Sequence, residues 1–266
     1  MKKNSQDYCY EKAAQPTAGL YYSLRKIPVE KRDLVVAVHA FYREIEDVIF
    51  ECHEPELALV KLNWWRIELT KPSHHPVLVV LQNALSSSQR LEKIIDGFQQ
   101  MIIPSSFETF EDVVIQWMRT AGERELLIND ILNVDKIISN EIIYQLMLVI
   151  EIVNYIQHLH RYMHHHAIYF AQDEMKRFAV TEDMLNVYVT TDAIKNLLRY
   201  QVEKVERAQA VINTLSREQR TALRYLLVCS EMAQATLRVI QESDFKVLEN
   251  FISLTPLRYW WIGFKF

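Results

Sequence analysis

Two sets of side chains recur at helical spacing and could act on a charged ligand. His39, Arg43, Glu46 and Phe50 lie three or four residues apart, as do Glu151, Asn154, His158 and Tyr162. Residues so spaced share one face of a helix. Both sets sit in stretches otherwise rich in apolar residues, where polar groups are costly unless paired or wetted. Two readings follow: a polar-lined cavity between two helices, or an ordinary hydrogen-bonded polar layer. A third feature is His158-Leu-His-Arg-Tyr-Met-His-His-His166, which holds five of the nine histidines. His160 and His164 are four apart, which suits a zinc or nickel pair. No glutamate separates them in metalloprotease order, and no third ligand is assignable. The plainer expectation is a basic helix end, since imidazolium suits a helix C-terminus. With Arg161 and Arg43, the same histidines could instead hold an anionic head group without metal.

Long helices must carry these groups. The 266 residues include only four glycines, against the roughly 7% of an average protein. Between Ser105 and Thr255 there is no proline, and Gly122 is the only glycine. Sheets and barrels need glycine-bearing tight turns at short intervals, and a glycine-rich phosphate loop has no place here. Punctuation predicts helices over Val29–Glu51, Glu56–Leu69, Val77–Leu85 and Arg90–Gln100, with a stop at Pro104. Ser106 or Thr109 caps a helix continuing past Trp117. Ser139 caps another, whose apolar positions 142, 146, 149, 153 and 156 form one face. Thr181 opens a short helix and Thr191 a longer one reaching about Thr214. Ser216 and Gln219 form a capping box before a helix through Ile240. No repeat or break in composition appears, so one all-α domain is expected.

Composition narrows the partners. With a formal net charge of −4 and no long basic run, the chain is not built to bind nucleic acid. Cys9, Cys52 and Cys229 fit neither a disulfide framework nor a zinc spacing. Met1 to Glu11 carries no apolar stretch of a secretory signal, and Ile142–Ile156 is too short and too polar to span a bilayer. A cytoplasmic protein is expected. Arg258-Tyr-Trp-Trp-Ile-Gly-Phe-Lys-Phe266 mixes aromatics with basic residues; packing is preferred over peripheral contact with the inner membrane. Trp64-Trp65 reads as core or helix packing rather than a ligand platform, and Glu203, Lys204, Glu206 and Arg207 as a solvated charged face.

Phe41-Tyr-Arg-Glu-Ile-Glu-Asp-Val-Ile-Phe-Glu51 resembles the first aspartate-rich motif of squalene and phytoene synthases. The resemblance begins at Asp7-Tyr-Cys9 and takes in Leu20-Tyr-Tyr-Ser-Leu-Arg25, Pro28-Val-Glu-Lys-Arg32 and Leu62-Asn-Trp-Trp-Arg-Ile-Glu-Leu69. It continues through Ile95-Asp-Gly97, Phe107-Glu-Thr-Phe-Glu-Asp112 and Thr120-Ala-Gly122. Asn154, Ile168-Tyr-Phe170 and Asp173-Glu174 look like the second motif region, and Leu254-Thr-Pro-Leu-Arg-Tyr-Trp-Trp261 like the last family segment. The flavour is that of bacterial hopanoid-pathway presqualene diphosphate synthases. This resemblance implies a single-domain isoprenoid synthase fold with a central cavity. It also implies two aspartate-rich helices holding Mg²⁺, which neutralises the diphosphates during head-to-head condensation.

The carry-over departs from the family where metal would bind. Glu46 takes the place of the leading aspartate of the first motif, Asp47 matches the intervening one, and Phe50 replaces the last. In the second motif His158 and Tyr162 replace the two metal-binding aspartates, Gln157 an arginine and Arg161 a glutamate. Glu151 stands for a glutamine and Met118 for a tyrosine, while Gln99, Gln100 and Met101 occupy the place of an acidic residue. Arg43, Asn154 and Tyr169 are retained. Imidazole is a poor Mg²⁺ ligand, so no metal and no cofactor is expected. The reading is a catalytically inactive homologue that binds an isoprenoid diphosphate, another isoprenoid-type lipid or a protein partner. Residual cavity positions are Arg43, Glu46, Asp47, Glu151, Asn154, His158, Tyr162 and Tyr169. The alternative is an active prenyltransferase converting farnesyl diphosphate to presqualene diphosphate or squalene. Non-catalytic relatives resembling the family, such as a mitochondrial complex I assembly factor, support the first. A scaffold with its cavity plugged by Phe50, Met118 and Tyr162 is a third class.

Overall fold

A computed structural model describes residues 4–16, 18–52, 54–102, 106–134, 138–165 and 167–265. Every regular element among them is helical, as the scarcity of glycine predicts. The chain divides into two compact units: Met1–Ser105 with Met118–Asn140, and Ser106–Trp117 with Glu141–Phe266.

The first unit is organised around the helix Val29–Glu51, which Pro28 starts as expected. Helices Ser5–Ala13, Pro55–Leu69, Pro76–Ala84, Gln89–Gln99 and Glu123–Leu132 all pack against it. A helix so enclosed buries side chains all round, from Val35 to Phe50, and its polar members are conspicuous for that reason. Pro55 and Pro76 begin their helices, where a missing N–H costs nothing. The predicted ends of these helices lie within a residue of those observed; the stop at Pro104 falls outside the described residues. Where the sequence predicts an ordinary helix past Trp117, the backbone makes a π-helical turn over Met118–Gly122 before resuming as Glu123–Leu132. Gly97 lies against that turn. A Cβ at this position would come 2.4 Å from the carbonyl oxygen of Arg119, so only glycine permits the approach. Of the tryptophan pair, Trp65 is buried edge-on to Phe41 at 5.5 Å, and Trp64, 43% exposed, packs edge-on to Trp65 at 5.1 Å.

In the second unit Thr109 caps the helix Phe110–Trp117. The Asp112 N–H donates to Thr109 Oγ1 at 3.4 Å, and the Thr109 N–H donates back to the Asp112 carboxylate at 2.9 Å. Thr181, Thr191 and the Ser216–Gln219 capping box act as predicted. Two expected rods are broken, however. Asn140–Gln157 ends before His158, and a separate helix, Leu159–His164, follows. The helix predicted from Ser216 to Ile240 is two, Arg217–Ala222 and Arg224–Glu242, separated at Leu223. Leu223 is only 3% exposed, so burying its side chain holds the turn in place.

Lys204 corrects the expectation of a solvated charged face. It is 7% exposed, ion-paired to Glu174, and lies 3.4 Å from the centre of the Phe110 ring. Gln201 completes the network, donating to Glu174 at 2.8 Å and accepting from Lys204 at 2.9 Å. The helix Pro256–Lys265 packs against Arg224–Glu242. The preferred packing reading holds for one face only: Tyr259 and Gly263 are buried, but Leu257, Trp261 and Phe264 are exposed. Phe266 lies outside the described residues. Among the described residues no helix is long and apolar enough to cross a membrane.

Candidate functional site

The first stripe forms a compact charged layer in the first unit. Arg43 Nη1 donates to Glu46 Oε2 at 2.5 Å, and the Glu46 carboxylate is only 5% exposed. From the helix Glu123–Leu132, the Arg124 guanidinium lies over the Tyr42 ring at 4.4 Å and reaches Glu125 at 2.7 Å. His39 feels both arginines: burial first, then Arg124 and Arg43, hold its imidazole well below the usual value. It is therefore neutral at physiological pH.

Asp47 does not join this layer. Its carboxylate pairs with Lys12 of the helix Ser5–Ala13 at 2.8 Å, and Lys12 also meets Glu44 at 3.2 Å. The Tyr8 hydroxyl donates to Glu44 at 2.6 Å, and burial together with that carboxylate pushes the phenol up to about 12. Glu46 and Asp47 thus point different ways, Glu46 to Arg43 and Asp47 to a Lys12 that it shares with Glu44. Phe50, where the motif would end in an acid, is 4% exposed. Gln99 accepts from Arg66 at 2.6 Å, and Gln100 accepts from Arg119.

The second stripe is interrupted by the histidine it contains. The His158 N–H and ring Nδ1 both lie 3.0 Å from the Asn154 carbonyl oxygen. A carbonyl only accepts, so Nδ1 carries a proton. The ring thereby supplies a second donor to a carbonyl in the last turn of the helix. Gln157 turns elsewhere, donating to the Ile252 carbonyl at 2.8 Å. Glu151 is buried on the same helix at 6% exposure. The Tyr162 ring packs against Tyr155 at 5.0 Å and Tyr169 at 5.7 Å. Tyr169 stacks on Phe107 and Trp117 at 5.6 and 5.9 Å, and its N–H donates to the Tyr155 hydroxyl at 3.0 Å. Burial pushes the Tyr155 phenol far above its ordinary range. This aromatic nest went unread in the sequence, because it joins Tyr155 and Tyr162 of two successive helices to Tyr169 of the irregular segment beyond them.

The histidine-rich run does not converge. His160 lies against Tyr188 at 4.6 Å, His164 against His165 at 5.1 Å, and His166 falls outside the described residues. Among the described residues no three His, Cys, Asp or Glu side chains gather as a metal requires. Mg²⁺ asks for several oxygen ligands in octahedral array. Glu46 faces an arginine, Phe50 and Tyr162 present rings, and His158 offers an imidazole nitrogen where Mg²⁺ takes oxygen. The residues present do not fit that ion.

The family description "Squalene/phytoene synthase" matches residues 14–260. The phytoene synthases of Mycobacterium bovis and Mycobacterium tuberculosis are each 24% identical over 250 residues, covering 90% of this chain and 83% of theirs. Among solved structures, a dehydrosqualene synthase in complex with ligand superposes with a TM-score of 0.75 at 16% identity, covering 98% of this chain and 94% of its own. The squalene synthase HpnC from Alicyclobacillus acidocaldarius gives 0.69 at 15% identity, with 91% and 94% covered. The fold is the all-helical isoprenoid synthase fold.

Proposed function

Because this chain belongs to the squalene/phytoene synthase family, we propose that it is a non-catalytic member that holds an isoprenoid diphosphate without turning it over. Within the family we place it with the bacterial hopanoid-pathway synthases, a reading supported by its likeness to HpnC. One observation carries the proposal. The positions that should supply metal-binding carboxylates hold Phe50 and Tyr162, and both rings are buried in packing.

Ionising an allylic diphosphate without positioned metal forfeits several kcal/mol, and each ~1.4 kcal/mol is tenfold in rate. What remains suits an anion at rest. Arg43 is 39% exposed and presents a guanidinium fork that matches phosphate oxygens. Arg124, the other arginine that acts on His39, is buried and paired with Glu125, and a neutral His39 can donate or accept.

The test pairs turnover with binding. Purified protein, Mg²⁺ and labelled farnesyl diphosphate should yield no presqualene diphosphate, squalene or phytoene. Calorimetry in EDTA should still register farnesyl diphosphate, and Arg43→Ala should weaken it. Product formation would overturn the proposal, as would absence of binding in EDTA, which would move the assignment to a protein-partner scaffold.

A further inference from the structure

The exposed face of the helix Pro256–Lys265 has no part in the diphosphate site. Leu257, Trp261 and Phe264 are 73%, 58% and 63% exposed, and their spacing of four and three sets them in one stripe. Beneath the stripe, Ala235, Arg238, Leu257, Arg258, Trp261 and Ile262 line a shallow hollow of about 440 Å³. The rings are ordered among themselves, with Trp260 stacked on Phe264 at 5.4 Å. The rim is basic: Arg258 and Lys265 are exposed, and no Asp or Glu occurs between Asn250 and Phe266. Arg238 adds a third cation, with Glu231 at 3.3 Å as its acidic neighbour.

We propose that this face is an interfacial anchor for an anionic lipid surface. Leu257, Trp261 and Phe264 enter the boundary between head groups and acyl chains, and Arg258, Lys265 and Arg238 lie against lipid phosphates. The chemistry is that of an amphipathic helix lying in the interface plane: aromatic rings at head-group depth, flanked by cations. Charge selects this occupant. A twofold contact between copies of the chain would bring the basic rim of one copy, Arg258 and Lys265, against the same basic rim of the other. A three-residue stripe is also far smaller than the roughly 800 Å² that each partner buries in a stable protein interface. A helix of ten residues cannot span a bilayer, so the attachment is peripheral and reversible.

The experiment is co-sedimentation of the full chain with vesicles of phosphatidylglycerol or of phosphatidylcholine. Binding should favour phosphatidylglycerol, fall with added salt and shift tryptophan emission to the blue. Trp261→Ser with Phe264→Ser should lower the partition coefficient by roughly tenfold for each ring removed. Arg258→Glu with Lys265→Glu should abolish the preference for the anionic lipid. All four side chains are exposed, so circular dichroism and melting temperature should match the parent. The inference is overturned if the parent ignores phosphatidylglycerol, or if the ring variant binds as well as the parent. It is also overturned if sedimentation without lipid shows a dimer that the ring variant dissolves.

Discussion

Restoring an aspartate at position 162 tests whether Tyr162 is a packing residue or a disguised metal position. Tyr162 is 9% exposed and wedged between Tyr155 and Tyr169. Removing a buried aromatic ring costs about 3–5 kcal/mol. A carboxylate left there without a partner adds about 1–3 kcal/mol, or takes up a proton to avoid it. Together these approach the ~5–15 kcal/mol that stabilises a typical domain. Tyr162→Asp should therefore lose about 4 kcal/mol or more in urea unfolding. Tyr162→Phe, which keeps the ring, should lose no more than about 1.5 kcal/mol. Trp117, stacked on Tyr169, supplies a fluorescence probe beside the change. Repeating the titration with Mg²⁺ decides the question. A metal that binds only the folded state raises stability in proportion to its occupancy, and the packing account predicts no recovery. If Mg²⁺ restores the variant, or if Tyr162→Asp costs less than about 1 kcal/mol, the reasoning fails.

Other perturbations probe the rest of the charged interior. Lys204→Met leaves Glu174 buried without its cation and should cost about 3–5 kcal/mol in chemical denaturation, most of it recovered by adding Glu174→Leu. Burial of the Lys204 ammonium outweighs the pull of Glu174 and lowers its pKa, which fits a pair that is costly to break yet replaceable by apolar side chains. His39 and His75 both have lowered pKa values, burial being the first cause. As pH falls below about 6.5 the unfolded chain takes up protons before the folded one, so stability present at neutral pH drains away. The loss is up to about 1.4 kcal/mol per pH unit for each group, and His39→Phe should flatten part of the slope in melts run between about pH 7.5 and 5.5. Gly97→Ala drives a methyl into the Arg119 carbonyl and should destabilise by about 1–3 kcal/mol or more, measured by thermal unfolding.

Helix starts were legible because capping is local. Thr181, Thr191 and the Ser216–Gln219 box each announce a helix with residues no more than three apart. Interruptions were less so, since neither His158 nor Leu223 is a glycine or proline. One break accompanies a side chain bonding to its own helix, the other a leucine drawn into the core. Lys204 misled for a related reason. In Glu203-Lys-Val-Glu-Arg207 it reads as one of a charged run, and its partner Glu174 is thirty residues away in sequence. Asp47 belonged to the motif by sequence, but only the packing of the helix Ser5–Ala13 shows that its carboxylate is committed to Lys12. The substitutions at Phe50 and Tyr162 were plain in the sequence. That Tyr162 has become part of a five-ring nest with Tyr155, Tyr169, Trp117 and Phe107 was not.

On the proposed reading, paired charges let a layer that holds no metal stay folded. An aspartate cluster around a divalent ion has its negative charge balanced by that ion, and stripped of it the carboxylates would repel one another in a poorly solvated interior. Here three acids of the first unit have internal cations: Glu46 has Arg43, Glu125 has Arg124, and Asp47 has Lys12, which it shares with Glu44. Arg43 is retained from the family pattern, so the same guanidinium that the resemblance places near substrate now also neutralises Glu46. Reinstating an aspartate at position 50 alone would therefore not rebuild an ion site. The new carboxylate would replace a ring that is only 4% exposed, and Glu46 would still be paired with Arg43. At position 162 an acid would in addition have to displace a ring packed against Tyr155 and Tyr169.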